Sequence, residues 1–215
     1  MHTSLLSPRV RIAIAIPVAA FAMSCASAPP KDAENPPLPR EGAYSIDTPH
    51  TFVLWRAQHQ VVGRVHGRFD RTTGTVMIDD DLEDCRLDIS IDASSLSTQQ
   101  NARDEDLESA DFFDTANYPT IEYHGRGIRR SGDDEFVVDG TLTIRGIKQV
   151  VPMTFEFRGT APPQEGRPSR VAFHGTAAVK RSDFKMTRDL LKEIGMVTDQ
   201  PDVWIDIDAE LLALD

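Results

Sequence analysis

The residues that could carry out chemistry in this 215-residue sequence are scattered along it. Its six histidines form neither an HExxH pattern nor a cluster with cysteine, which are the spacings that zinc sites use. No GxSxG elbow, Walker loop or Rossmann turn occurs. His59 shares the alternating phase of Trp55, so it is interpreted as an inward-facing, hydrogen-bonded histidine of a strand. These patterns argue against an enzyme and against a metal site, and they predict no cofactor.

The thiol and carboxylate groups are explained without catalysis. Cys85 lies on the apolar phase of its segment, where burial favours an inert thiol over a nucleophile. The acidic side chains mostly occupy the outer phase of alternating segments, as expected for a solvated face. The net charge of −11 at pH 7 argues against nucleic acid as a partner, because an acidic surface repels phosphates.

Residues 103–123, RDEDLESADFFDTANYPTIEY, form the one stretch that leaves strand periodicity. Asn101 is predicted to cap a short helix, because carboxylates fill the first turn after it. The helix should end before Pro119, which disfavours helical backbone at the residue preceding it. Phe112 and Phe113 lie among acidic residues and need an apolar place to pack. We interpret this segment as a helical lid over the end of a sheet or barrel; the alternative is that both rings plug a solid core.

From Tyr44 onward, apolar and polar residues alternate in short runs that end at Gly, Asp, Asn or Pro. This period of two is the pattern of antiparallel strands with one solvent-exposed face. Turns are predicted at residues 131–134 and 145–146. Eight such runs with few helices favour one closed or nearly closed barrel, which removes the exposed edges of a sheet. The predicted strands are residues 52–59, 73–79, 85–92, 120–128, 136–144, 150–160, 170–180 and 203–210.

Four glycines continue the apolar phase of their strands, namely Gly125, Gly140, Gly159 and Gly175. An eight-stranded barrel is narrow enough for side chains to fill it unless small residues leave room. The glycines therefore predict an elongated apolar cavity. They also permit the sharp bending of barrel strands, and the two roles are compatible.

The first 24 residues are typical of an export signal, with two arginines before a short apolar run and small residues after it. The sequence AMSC that ends at Cys25 is similar to a bacterial lipobox, in which Cys25 becomes the lipidated first residue. The alternative is a soluble periplasmic protein cleaved after residue 22 or 24. Residues 25–42 are rich in proline and are predicted to form an extended tether to a folded domain at 43–215.

Three motifs of the predicted barrel resemble the YceI-like family: RDEDLESADFFDTANYPTIEY, GTLTIRGIKQVVPM and KRSDFKM, in that order and spacing. The resemblance covers residues 43–214. It implies an all-β fold, a single antiparallel lipocalin-like barrel of about eight strands with a short helical lid segment. It also implies export to the periplasm and a polyisoprenoid or similar long-chain lipid held in an apolar pore, with no established catalytic residues.

The resemblance and the inward phases together give a predicted binding site. Arg103, Asp104 and Arg181 are predicted at its mouth, where they fix a lipid head group or lock the lid. A salt bridge within the protein is the alternative role for each. The predicted ligand-binding residues are apolar or aromatic: Trp55, Leu87, Ile89, Ile91, Phe112, Phe113, Tyr123, Leu142, Phe155, Phe157, Phe173, Phe184 and Ile205.

This sequence departs from the family pattern at Asp106, where His is common, at Gly125, where Ser is frequent, and at Lys185, where Gly usually follows Asp-Phe. These departures do not affect the predicted barrel, but the identity of the lipid head group is left undetermined. The expected partners are a long-chain isoprenoid lipid and a membrane, which the protein reaches through its lipid anchor. The sequence does not decide between a monomer and a homodimer. One alternative is an interaction or stress-response module with a solid core and no ligand. The other is a lipid-modifying enzyme, such as an isomerase.

Overall fold

The computed structural model describes residues 39–59, 63–186 and 203–214. The predicted export signal, Cys25 and most of the predicted tether lie outside the described residues. Within them the chain forms one α-helix, α1 (Asn101–Glu108), and four short 3-10 helices, Thr48–His50, Leu82–Asp84, Ala93–Ser95 and Arg181–Phe184. The strands are β1 (Gly42–Ile46), β2 (Phe52–His59), β3 (Gly63–Phe69), β4 (Thr72–Ile78), β5 (Arg86–Asp92), β6 (Leu96–Ser97), β7 (Thr120–Arg126), β8 (Ile128–Arg130), β9 (Glu135–Ile144), β10 (Ile147–Ala161), β11 (Arg170–Val179) and β12 (Val203–Leu214).

The strands pair with their neighbours in the chain and close into a barrel. β1 pairs with β4 while β2 pairs with β3, so β1 and β2 are two halves of one bent strand. The same holds for β3 with β4, and for β5 with β6, because β5 pairs with β4 and β6 pairs with β3. These three bent strands, together with β7, β9, β10, β11 and β12, make eight, and β12 closes the circle on β1 and β2. The predicted all-β antiparallel barrel is therefore confirmed.

Every predicted strand is present, and β2 has the predicted bounds. The sequence did not predict β1, β3, β6 and β8 as separate strands. β3 has glycines at two of its four inward positions, Gly63 and Gly67, and β6 has only two residues, so neither carries a run of alternating apolar side chains. β8 is separated from β7 by Gly127, whose φ of +66° interrupts the extended backbone.

The outer wall of the barrel carries cross-strand ion pairs. His124 Nδ1 lies 2.8 Å from Asp88 Oδ1, and Arg56 Nη1 lies 3.1 Å from Asp206 Oδ2. These pairs explain the abundant charges of the outer phase as a solvated face, where each pair contributes little to stability. None of the helices in the described ranges is long and apolar enough to cross a membrane.

The helix α1 begins one residue earlier than the predicted cap implies. Gln100, not Asn101, is the N-cap, and its Oε1 accepts a hydrogen bond from the Arg103 N–H at 2.5 Å. The chain is fixed there because the backbone N–H of Thr98 donates to Asp104 Oδ1 at 2.9 Å. The helix ends at Glu108, so Phe112 and Phe113 lie in the turns that follow it rather than on the helix itself.

Candidate functional site

The barrel encloses a cavity of about 730 Å³, lined by residues from strands all around the wall. This volume lies within the range of small-molecule sites, roughly 300–1,000 Å³. Several inward-facing residues are only partly buried, among them Ile89, Phe155, Phe173, Ile205 and Ile207. They face the open lumen rather than solvent outside the barrel. The described barrel therefore does not have the filled core that a solid-core module would require.

All but one of the predicted ligand-binding residues line this cavity. The exception is Phe157, which is 2% exposed and packs its ring against Phe173 at a centroid distance of 5.4 Å. A β-bulge between Phe157 and Gly159 shifts the register of β10 against β11 at this point, and Phe173 stands on the lumen side. The residues that do line it are Trp55, Leu87, Ile89, Ile91, Phe112, Phe113, Tyr123, Leu142, Phe155, Phe173, Phe184 and Ile205.

The four predicted lumen glycines do not line the cavity. A Cβ placed on Gly140 would lie 2.1 Å from Cζ of Tyr123, and one on Gly175 would lie 2.7 Å from Cε1 of Phe155. Gly125 is covered in the same way by Val138, at 2.6 Å. Gly159 has a φ of +130° and no neighbour within 4 Å, because it sits at the bulge. The prediction that these glycines line the interior is therefore wrong.

The glycines serve the lumen indirectly, because side chains from neighbouring strands lie across them. Gly67, which is not among the four glycines predicted from the sequence, is covered by Trp55, whose Cζ2 would lie 2.2 Å from an added Cβ. Together with Gly140 and Gly175 it gives three places where an aromatic ring packs over a bare backbone. Rings that lie against the wall leave the axis of the barrel open, which is how glycine contributes to the cavity.

Two buried groups of the inner lumen carry titratable protons. The Tyr123 hydroxyl lies 3.1 Å from the carbonyl oxygens of both Val138 and Val151, to which it donates. Burial raises the pKa of Tyr123 well above its usual range. Burial also raises the pKa of Cys85, whose sulfur accepts from the Asp79 N–H at 3.3 Å. Both groups stay protonated at neutral pH, so neither is a general base or a nucleophile.

The lid segment closes one end of the barrel, which we call the lid mouth; Arg103, Leu107, Phe112 and Arg181 line the cavity there. Phe113 packs edge-on against the buried ring of Phe69, with centroids 5.5 Å apart and planes at 89°. Phe112 lines the cavity without joining the buried core. One ring thus anchors the lid while the other faces the lumen. His59 also lines this mouth and is exposed.

Arg103 and Asp104 hold the lid to the barrel through one residue, Thr98. Arg103 Nε donates to Thr98 Oγ1 at 2.7 Å, and its Nη2 donates to the Thr98 carbonyl at 2.9 Å. Asp104 accepts from both the N–H and the hydroxyl of Thr98. We call this set the Thr98 latch. Arg103 also lines the cavity, whereas Asp104 does not, so of the two only Arg103 is placed to meet a ligand.

A second segment meets the lid at the same mouth. In the 3-10 helix Arg181–Phe184, Phe184 is 1% exposed and lines the cavity together with Arg181. Lys185 follows with a φ of +53°, a left-handed backbone conformation that favours glycine. Arg145 joins the two segments, because its guanidinium donates to the carbonyls of Lys185 at 2.8 Å and Ala110 at 2.9 Å. The sequence marked Arg145 only as part of a turn.

The opposite end of the cavity is lined by Asp79, Asp80, Ile128 and Arg130, which we call the rear mouth. The Arg130 guanidinium lies 5.1 Å from the centroid of the Phe136 ring, and its Nη1 donates to the Asp133 carbonyl at 2.5 Å. The sequence gives no signal for this mouth, because its residues lie at strand ends and in a loop with no motif.

Among the described residues, Asp47, His50 and Glu210 form a cluster with the ligand types of a metal site. His50 Nδ1 lies 2.9 Å from Asp47 Oδ2. Arg170 places one guanidinium nitrogen 2.9 Å from Asp47 and the other 2.7 Å from Glu210. The arginine supplies the positive charge that these carboxylates need, so the cluster is explained as an ion-pair network of the barrel wall.

Comparison with known proteins identifies the relatives of this barrel. The sequence model of the YceI-like domain family matches residues 44–211 of this chain. Protein YceI of Escherichia coli O6:H1 is 30% identical over 150 residues, which cover 68% of this chain and 78% of that protein. The UPF0312 protein of Photorhabdus laumondii is 29% identical over 150 residues, 68% of this chain and 77% of its own length.

Solved structures share the fold at lower sequence identity. Burkholderia cenocepacia BcnA superposes with a TM-score of 0.61 at 22% identity, covering 79% of this chain and 99% of BcnA. A polyisoprenoid binding domain from Saccharophagus degradans superposes with a TM-score of 0.58 at 17% identity, covering 81% of this chain and all of that domain (100%). The matched domain spans most of the chain, the barrel agrees with those of the solved relatives, and this protein therefore belongs to the YceI-like family.

Proposed function

We propose that this protein binds one long-chain isoprenoid lipid in the lumen of its barrel and does no chemistry on it. The observation that carries the proposal is the cavity of about 730 Å³, which runs between two mouths and is lined mainly by aliphatic and aromatic side chains. The related domain from Saccharophagus degradans, which is described as polyisoprenoid binding, supports the same ligand class.

The size of the lumen sets the length of chain that it can bury. At roughly 30 Å³ for each water-sized group, about 730 Å³ accommodates about 24 groups, or between four and five isoprene units. Burial contributes about 0.8 kcal/mol for each methylene-sized group, so twenty groups contribute about 16 kcal/mol. Association and ordering cost roughly 4–15 kcal/mol. Chains that fill the lumen therefore bind, whereas chains with two isoprene units or fewer bind weakly.

The two alternatives have less support from the described residues. A solid-core module needs a filled interior, and the barrel contains a lumen instead. A lipid-modifying enzyme needs an acid and a base near the bound chain. The inner lumen offers Cys85 and Tyr123, and burial raises the pKa of both groups, so both hold their protons at neutral pH.

The lid variants Phe112→Ala and Phe113→Ala test both the ligand and its route. A fluorescent farnesyl probe should bind the wild type saturably with a stoichiometry of one. Phe112 faces the lumen outside the buried core, so its loss should speed probe release about tenfold or more with little change in the thermal midpoint. Phe113 packs on Phe69 but is only partly buried, so its loss should cost about 3 kcal/mol and lower the midpoint by roughly 6–12 °C.

Stopped-flow release of the probe and thermal unfolding, measured on the same samples, separate the two rings. Large midpoint losses in both variants with unchanged release would show that the segment is a structural cover rather than a lid. Absence of saturable probe binding to the wild type would overturn the proposed function itself.

We propose further that the protein is exported and held at a membrane by a lipid on Cys25. The support is the sequence pattern alone: the two arginines, the short apolar run and the Ser-Cys step. Cys25→Ala should move the protein from the membrane fraction to the soluble periplasmic fraction. Fractionation of the wild type is the control, and wild-type protein found in the soluble fraction would contradict the anchor.

A further inference from the structure

The lumen reaches exposed residues at both of its ends. At the lid mouth the cavity is lined by His59 and Asp106, and at the rear mouth by Asp80 and Arg130, all of which are exposed. The lumen therefore approaches the surface at the rear of the barrel as well as at the lid.

The rear mouth is built by two adjoining segments. The 3-10 helix Leu82–Asp84 contacts β8, and the Gly127 N–H donates to the Cys85 carbonyl at 3.3 Å, which holds the turn before β8 against the start of β5. Between these segments the apolar lining continues outward through Ile78, Leu82 and Ile128 to the rim. An apolar path thus extends from the centre of the barrel to its rear surface.

One movable side chain stands across this path. Arg130 lines the rear mouth, with its guanidinium over the ring of Phe136 and one hydrogen bond to the Asp133 carbonyl. It is exposed and joined to the barrel by those two contacts, so it can swing aside and still keep its charge in water. Asp79 and Asp80 line the same rim. Their carboxylates disfavour an anionic head group there, so the rim suits the apolar end of a lipid.

We propose that the rear mouth is an exit for the tail of the lipid, with Arg130 as its gate. The inference rests on the proposed function and extends it to chain length. A lumen of about 730 Å³ buries about 24 methylene-sized groups, so a longer chain has a surplus. With a closed floor the surplus would stay at the lid mouth and hold the lid open. In a tunnel the tail leaves at the rear, the head group stays at Arg103 and Arg181, and the protein accepts chains without an upper limit of length.

Competition against a fluorescent farnesyl probe tests the tail exit in the full-length protein. Solanesol, with nine isoprene units, should compete with the probe for wild-type protein at least as well as farnesol, with three, because farnesol leaves part of the lumen unfilled. Arg130→Trp puts a bulky ring across the rear mouth. This variant should bind solanesol about tenfold more weakly or worse, and its affinity for farnesol should stay within about twofold of the wild-type value.

Arg129→Trp is the matched control, because Arg129 is the adjacent residue and pairs with Asp139 on the outer face. This variant should bind both alcohols like the wild type. If wild-type protein already discriminates strongly against solanesol, or if Arg130→Trp leaves solanesol binding unchanged, the tail exit is wrong. If farnesol also fails to bind wild-type protein, the proposed function fails and the tail exit fails with it.

A photoreactive solanesol gives a second readout that requires no substitution. With a diazirine on the fifth isoprene unit from the head group, where the chain should reach the rear mouth, the label should attach to residues 79–82 or to Ile128–Arg130. Attachment confined to Phe112 and its neighbours at the lid, or to the inner lumen around Tyr123, would show that the chain folds back and does not leave at the rear.

Discussion

Gly140→Ala is expected to destabilise the barrel by roughly 2–5 kcal/mol, a large fraction of the stability of a typical domain. The added methyl group would lie 2.1 Å from Cζ and 2.3 Å from the hydroxyl oxygen of Tyr123. The ring has to move, and in moving it loses its hydrogen bonds to the carbonyls of Val138 and Val151. Urea unfolding followed by circular dichroism measures the change.

Gly63→Ala is the matched control for this prediction. The nearest atom to a Cβ at Gly63 is the His59 carbonyl oxygen at 3.5 Å, an ordinary contact, so this variant should stay within about 1 kcal/mol of the wild type. In a Tyr123→Ala background, Gly140→Ala should reduce the free energy of unfolding almost no further, because the ring that clashes with the added methyl group is absent. A Gly140→Ala protein as stable as the wild type would refute the packing of Tyr123 over Gly140.

The double substitution Ile89→Trp with Ile207→Trp should abolish lipid binding while the barrel stays folded. Ile89 on β5 and Ile207 on β12 both line the lumen and are only partly buried. Two barrel strands separate β5 from β12 on one side and four on the other, so the new rings enter from nearly opposite walls. Lost contact with only four methylene groups costs about 3 kcal/mol, which is more than a hundredfold in affinity.

The control for the lumen variant puts the same two side chains on the outer face. Ser90→Trp with Asp208→Trp changes the adjacent residue of each strand and sacrifices one exposed ion pair, Asp208 with His174. This protein should bind the fluorescent farnesyl probe like the wild type. Circular dichroism establishes that both proteins are folded. Retained binding in a folded lumen variant would place the ligand outside the barrel.

The sequence predicts the strands and the lid because their signals are local. Alternation of period two is visible within eight residues, and Phe112 beside Phe113 in acidic surroundings marks a segment that needs apolar partners. The position of Gln100 as N-cap is not visible in this way. Gln100 caps through its own side chain, and the bond from the Thr98 N–H to Asp104 holds the chain beside it; no residue pattern marks either contact.

The packing inside the barrel depends on the register in which the strands pair, and the sequence pattern does not predict this register. In the sequence, Gly140 lies on an inward phase and therefore predicts empty space. In the structure, β7 pairs with β9 so that Tyr123 lies opposite Leu142, the inward residue next to Gly140, and the Tyr123 ring covers the glycine. The bulge at Phe157 likewise appears only when β10 is paired with β11. The rear mouth combines a loop after β4 with β8, segments far apart in the chain and without a motif.

Native mass spectrometry of the full-length protein, isolated from its own organism in mild detergent, tests the lipid-binding lumen most directly. We expect wild-type protein to carry one additional mass that fragments as a polyisoprenoid, and the folded Ile89→Trp, Ile207→Trp protein to carry none. Wild-type protein that carries no lipid, or a lumen variant that retains the same lipid at the same occupancy, would contradict the account.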